Sequence, residues 1–281
     1  MRAAPSVQSI MLKVLLALVP GIIAHVWVYG GAIILSLLIA SVSALLAEAA
    51  MLKWRQRPVL PFLADMSAVV TAWLLALTLP PLAPWWLLIM GIFFAIVLAK
   101  QIFGGLGCNP FNPAMFGYAA VLIAFPQLMT STPLAQMITP IFGSIAGGEL
   151  VSLGYLIGGL YLIQQRIISW HVPTAFLMAQ ALITLGFYIS DPAHFANPLL
   201  QLMSGAAVLC AFFIITDPVS APSSVRGKLY FAGGVGIVST LTQVYAGIAY
   251  GLALAVLLMN LCVPWLDAVT RPRVFGHKTW L

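Results

Sequence analysis

Thr130, Ser131 and Thr132 stand in a row ahead of Pro133 in LMTSTPLAQM, Leu128 to Met137, within a chain of which only 6% is charged. The ordinary reading of Thr/Ser before proline is a turn; a hydroxyl in chemical use is the alternative. A second set of chemistry-bearing residues lies in KQIFGGLGCNPFNPAMF, Lys100 to Phe116. Its glycines let the backbone approach a ligand. Asn112-Pro113 reads as an N-cap followed by proline at the first helical position, a helix start whose unpaired N–H groups can face an anion or an electron-rich ring edge. No strand precedes GGLG, so a dinucleotide or phosphate-loop reading fails on context, and a broken helix turning at membrane depth is the alternative. IITDPVSAPSSVRGK, Ile214 to Lys228, supplies a comparable turn. Asp217 there can cap a helix or accept a hydrogen bond from a ring N–H.

The other reactive types point to less. Cys108, Cys210 and Cys262 form no C-x-x-C pair, which argues against an iron–sulfur or zinc site within the chain, although Cys108 could join a cluster shared with another subunit. His25 alone of four histidines lies well inside an apolar run, and a membrane haem would want two at matching depth. No metal site and no residue catalytic on its own is expected. Glu48, in LLAEAAMLKW, is the one acid clearly within an apolar run. Pairing with Lys53 at the interface is its simplest role; a buried ionisable group at membrane depth is otherwise a functional candidate.

The elements that must carry these residues are apolar. Sixty-two percent apolar composition with several long apolar runs describes an all-α integral membrane protein rather than a soluble or disordered chain. Ten spans can be placed, at about 10–29, 31–52, 66–80, 85–100, 113–127, 152–168, 172–190, 199–216, 228–244 and 247–267. With the N-terminus inside, all twelve Lys and Arg fall at or near the inner side, so the topology rather than nucleic-acid binding accounts for the net charge of +6. Both termini are then cytoplasmic, and the first span reads as retained rather than cleaved. The hydroxyl row falls outside, between spans five and six. No linker divides residues 1–281, which read as a single polytopic membrane domain with halves of about 1–130 and 150–281. KWRQRPVLPFLADMSAVV and QQRIISWHVPTAFLMAQAL form a weak echo shifted by four helices, which would make a parallel repeat.

IFGGLGCNPFNPA, AFPQLMT, FFIITDPVSAPSSVRGKLYFAG and VLLMNLCVPWLDAVTRPRVFGHK, in order and across essentially the whole chain, resemble the NqrB/RnfD family. Its members are the D subunits of Rnf electron-transport complexes and the related B subunits of sodium-pumping NADH:quinone reductases. The resemblance, which is to the Rnf branch, implies a bundle of about ten helices in two five-helix inverted repeats, in a bacterial inner membrane. It implies a non-catalytic subunit of a translocase that couples ferredoxin/NAD electron transfer to ion movement. Expected partners are membrane lipid and the A, B, C, E and G subunits of the Rnf complex, with ferredoxin and NADH reached only through them; no nucleic acid is expected. It also implies a covalent FMN on an outer threonine and a riboflavin near the inner side. Thr132-Pro133-Leu134 matches the T-P-L part of the family's acceptor motif, with Ser131 where alanine is usual and Thr130 as the competing hydroxyl. Ser204-Gly205-Ala206-Ala207 resembles the alternative S-G-A-T motif but ends without a hydroxyl. For the riboflavin the candidates, taken from the Gly/Asn/Pro and Asp-Pro loops together with the resemblance, are Asn109, Asn112 and Asp217, then Lys100 and Thr216. Two other classes remain open on the residues alone: a channel or transporter for a small neutral solute, and a structural scaffold.

Overall fold

The computed structural model describes residues 6–80, 83–130, 148–192, 194–195, 197–203, 205–246 and 251–271. All regular structure among them is helical. In chain order the elements are α1 (Val7–Tyr29), α2 (Ala32–Trp54), α3 (Val59–Leu63), α4 (Ser67–Thr78) and α5 (Trp85–Phe93), which runs on as a π-helix, π1 (Phe94–Gln101). There follow α6 (Pro113–Ala124), α7 (Pro126–Thr130), α8 (Gly148–Gln164), α9 (His171–Ser190), α10 (Pro198–Leu202) and α11 (Gly205–Leu209), continued by a second π-helix, π2 (Cys210–Ile214). The last two are α12 (Val225–Ala246) and α13 (Gly251–Thr270).

α1, α2, α9 and α13 are each long and apolar enough to cross a membrane, and shorter apolar helices accompany them. Every expected span coincides with helix to within a few residues, except the eighth. That span is two pieces, α10 and α11–π2, separated after Leu202. Large apolar side chains such as Trp27, Leu46, Ile123 and Val269 face outward, as a hydrocarbon surrounding permits and water would not. Two backbone devices shape the interior. In π1 and π2 the chain bonds over five residues, as in Ile102 N–H to Val97 O at 3.0 Å and Ile215 N–H to Cys210 O at 3.1 Å. Single turns of this kind concentrate at functional sites, because the extra residue redirects the side chains that follow.

Glycine sets the closest helix contact. A Cβ at Gly158 of α8 would lie 1.8 Å from the Ala17 carbonyl oxygen of α1, and one at Gly154 would lie 2.7 Å from that of Pro20. Small residues let two backbones meet where lipid supplies no hydrophobic drive. Counting α5–π1 and α10–α11–π2 as one pass each and setting aside the five-residue α3 and α7, the described residues make ten passes, and their packing repeats with a shift of five. α1 lies on α8 and α6 on α13, while α2 against α5, α5 against α6 and α1 against α4 recur as α9 against α12, α12 against α13 and α8 against α11. An odd shift turns the second set over relative to the first. The four-helix echo in the sequence is therefore not the repeat of the packing.

Candidate functional site

Glu48 of α2 is buried and paired, but not with Lys53. Its Oε1 sits 2.6 Å from Lys100 Nζ, with both side chains only 2% exposed. Five residues along a helix is not a facing position, and Lys53 is exposed, whereas Lys100 reaches Glu48 from π1. Lys100 also donates to Ser67 Oγ at 2.7 Å, and Ser67 Oγ in turn donates to Asp65 Oδ1 at 2.6 Å. Gln101 Nε2 donates to the same Glu48 oxygen at 2.8 Å, and Arg55 holds Gln101 through its side-chain and backbone oxygens at 2.9 and 3.0 Å. Further hydrogen bonds offset the desolvation of Lys100 and of Glu48 Oε1, while Glu48 Oε2 is buried without a donor.

The two interrupted loops meet beside this pair. Gly104, Gly105 and Gly107 hold φ of +129°, +100° and +91°, backbone that disfavours any residue with a Cβ. Asn112 Oδ1 accepts from Met115 N–H at 3.1 Å and so caps α6, while its Nδ2 donates to Ile214 O, the end of π2, at 3.0 Å. Asn260 of α13 completes the junction. Its Oδ1 accepts from Asn112 N–H at 3.1 Å, and its Nδ2 donates to Ser220 O at 2.9 Å, so one side chain ties both loops. Asp217 folds its own loop by accepting from Val219 N–H at 3.2 Å and Ser220 Oγ at 2.9 Å. Burial pushes the Asp217 carboxyl up from its ordinary range; those two bonds and the nearby Lys100 charge act in the opposite direction.

Asn109, Asn112, Asp217, Lys100 and Thr216 are therefore brought to one end of the bundle, but they are not equally free. Both polar ends of the Asn112 side chain are engaged within the protein, and Lys100 is enclosed by Glu48 and Ser67. Thr216 donates to Phe212 O at 2.7 Å and lines a cavity of about 130 Å³ with Ile167, Val172, Pro218 and Lys228. Asn109 differs: its Nδ2 donates to Phe111 O at 2.9 Å, yet its Oδ1 is buried without any donor. An acceptor left unpaired away from water is costly, and it suits an imide N–H of a ring ligand. Thr132 lies outside the described residues; Thr130 is the last residue of α7.

Glu48 paired with Lys100, Ser67 and Asn260 belong to this centre although no local pattern places them in it. Asn260 is the only carboxamide of the last span, a polar residue in MNLC that no local structure needs, and that is the available signal.

Interrupted helices that meet at a buried, hydrogen-bonded polar centre are the architecture of polytopic membrane transport proteins. The chain belongs to the NQR2, RnfD, RnfE family, whose profile matches residues 1–276. It is 42% identical to the D subunit of the ion-translocating oxidoreductase complex of Yersinia pseudotuberculosis serotype O:1b, with 98% of this chain and 95% of that one covered. Against the protein of the same description from Ectopseudomonas mendocina it is 44% identical, over 96% and 92% of the two chains, and against that of Escherichia coli K12 it is 41% identical, over 96% and 95%. The Yersinia alignment extends over 335 positions, more than the 281 residues here, so that relative has internal segments without counterpart in this chain.

Proposed function

We propose that the chain is the flavin-carrying membrane subunit of an ion-translocating oxidoreductase complex of the Rnf type. On this reading it passes electrons between a covalent FMN on the outer face and a riboflavin near the inner face. The near-full-length likeness to subunits described as parts of such complexes carries the general reading. The flavins would supply the one- and two-electron chemistry that no side chain here can perform.

The chain's own residues bind and orient. Thr132 attaches the FMN phosphate, in an uncharged, partly apolar segment that disfavours an anionic reduced ring. Asn109 offers its unpaired Oδ1 to the riboflavin imide. Asn112 and Asn260 hold the two loops at fixed separation so that the ring edge meets a preformed wall. Lys100 and Asp217 set the local charge, and Thr216 borders the neighbouring cavity. The chain sits in the bacterial inner membrane with both termini cytoplasmic, beside the A, B, C, E and G subunits of the complex, which deliver electrons from ferredoxin or NADH.

The test is fluorescence of the denatured, electrophoresed chain together with acid extraction of the purified complex. Thr132→Ala should abolish the in-gel signal, and Asn109→Leu should lower extractable riboflavin while leaving that signal intact. In-gel fluorescence that persists in Thr132→Ala contradicts the covalent site. Unchanged riboflavin in Asn109→Leu contradicts the inner one.

A further inference from the structure

A second buried polar group lies away from the two loops, where α9, α10 and α12 meet. Gln180 and Thr184 stand one turn apart on α9, 2% and 5% exposed. On α12, Gly236, Thr240 and Gln243 share a face at i, i+4 and i+7, and a Cβ at Gly236 would lie 2.7 Å from Phe176 O, so this face runs directly along α9. Gln201, 3% exposed, enters from α10 just before the eighth pass breaks. Thr184 Oγ1 lies 2.6 Å from Gln201 Oε1, and Gln201 Nε2 lies 3.3 Å from Gln243 Oε1. Gln180 Oε1 is buried without a donor. None of the chain's six acidic residues belongs to α9, α10 or α12.

We propose that Gln180, Thr184, Gln201 and Gln243 form a binding site for one dehydrated monovalent cation toward the shared end of these helices. Neutral carboxamide and hydroxyl oxygens replace a hydration shell around a single charge, whereas a divalent ion would require carboxylates. The rearrangement on binding is small. Thr184 Oγ1 already contacts the Gln180 carbonyl at 2.8 Å, so its proton can turn there and free both its lone pair and Gln201 Oε1 for the ion. The inference rests on the ion-translocating reading and not on flavin attachment.

The test is thermal unfolding of the purified full chain during a titration of sodium chloride against choline chloride at constant ionic strength, with in-gel flavin fluorescence recorded alongside. The unaltered protein should gain stability saturably with sodium and not with choline. Thr184→Val and, on the same helix, Gln180→Met should each move the sodium midpoint at least tenfold upward with unchanged flavin fluorescence, while Thr184→Ser should keep it. No sodium-specific gain in the unaltered protein, or unmoved midpoints in the folded variants, overturns the proposal. Loss of flavin fluorescence without change in the sodium response strikes the flavin reading alone.

Discussion

At the scale of single residues the buried Glu48–Lys100 pair makes the sharpest energetic statement. Removing one partner leaves an uncompensated charge at about 2% exposure, so Glu48→Ala should destabilise the chain by about 3–5 kcal/mol. Glu48→Leu combined with Lys100→Met should recover much of that loss, because burying two apolar groups costs less than burying one unpaired charge. Thermal unfolding in detergent of the single and double variants measures both; equal stability of Glu48→Ala and the unaltered chain would contradict the account. These residues also mark what is legible in a sequence. Asn112 is readable as an N-cap because its bond to Met115 spans three residues. The bond from Asn112 N–H to Asn260 spans 148, and nothing local encodes such a partner. Lys53 suggests itself as the partner of Glu48 because proximity in sequence is the only proximity a sequence displays; Lys100 lies 52 positions away, brought near by the packing of α2 on π1.

At the scale of elements, apolar length sets most helix boundaries, since a hydrocarbon layer allows little else than continuous backbone hydrogen bonding. It cannot reveal the π-helical runs, because hydrogen bonding over five residues leaves hydropathy unchanged. Nor does it reveal the break after Leu202, where apolar residues continue on both sides of the gap. Glycine in α8 is equally silent until its neighbour is known. Gly158→Leu should force α1 and α8 apart, since the clash is with the Ala17 backbone and no rotamer relieves it, and overpacking of this kind costs about 1–3 kcal/mol or more. Gly186→Ala, where a Cβ would meet nothing within 4 Å, is the matched control and should be neutral or slightly stabilising. Size-exclusion profiles and unfolding temperatures of the two variants decide it; a well-behaved Gly158→Leu protein would refute the tight α1–α8 contact.

For the whole molecule, a packing repeat of five passes coexists with a four-helix echo in the sequence. Both interrupted loops, 102–112 and 215–224, follow a π-helical run and face one another across Ile214 and Asn260, so similar turns serve one junction from non-equivalent passes. The resemblance of the motifs indicates the five-helix repeat that residue patterning misses. The clustering of basic residues predicts an inward-facing glycine-rich loop, and that orientation is open to a direct check because Cys108 is exposed there. A membrane-impermeant maleimide should leave Cys108 unlabelled in intact cells and label it after permeabilisation; labelling from outside would invert the orientation.

The flavin-carrying role is tested most directly by mass spectrometry of the peptide holding residues 128–137 from the purified complex. The account predicts that this peptide carries one FMN through Thr132. An unmodified peptide, or an adduct on Thr130 instead, would contradict it.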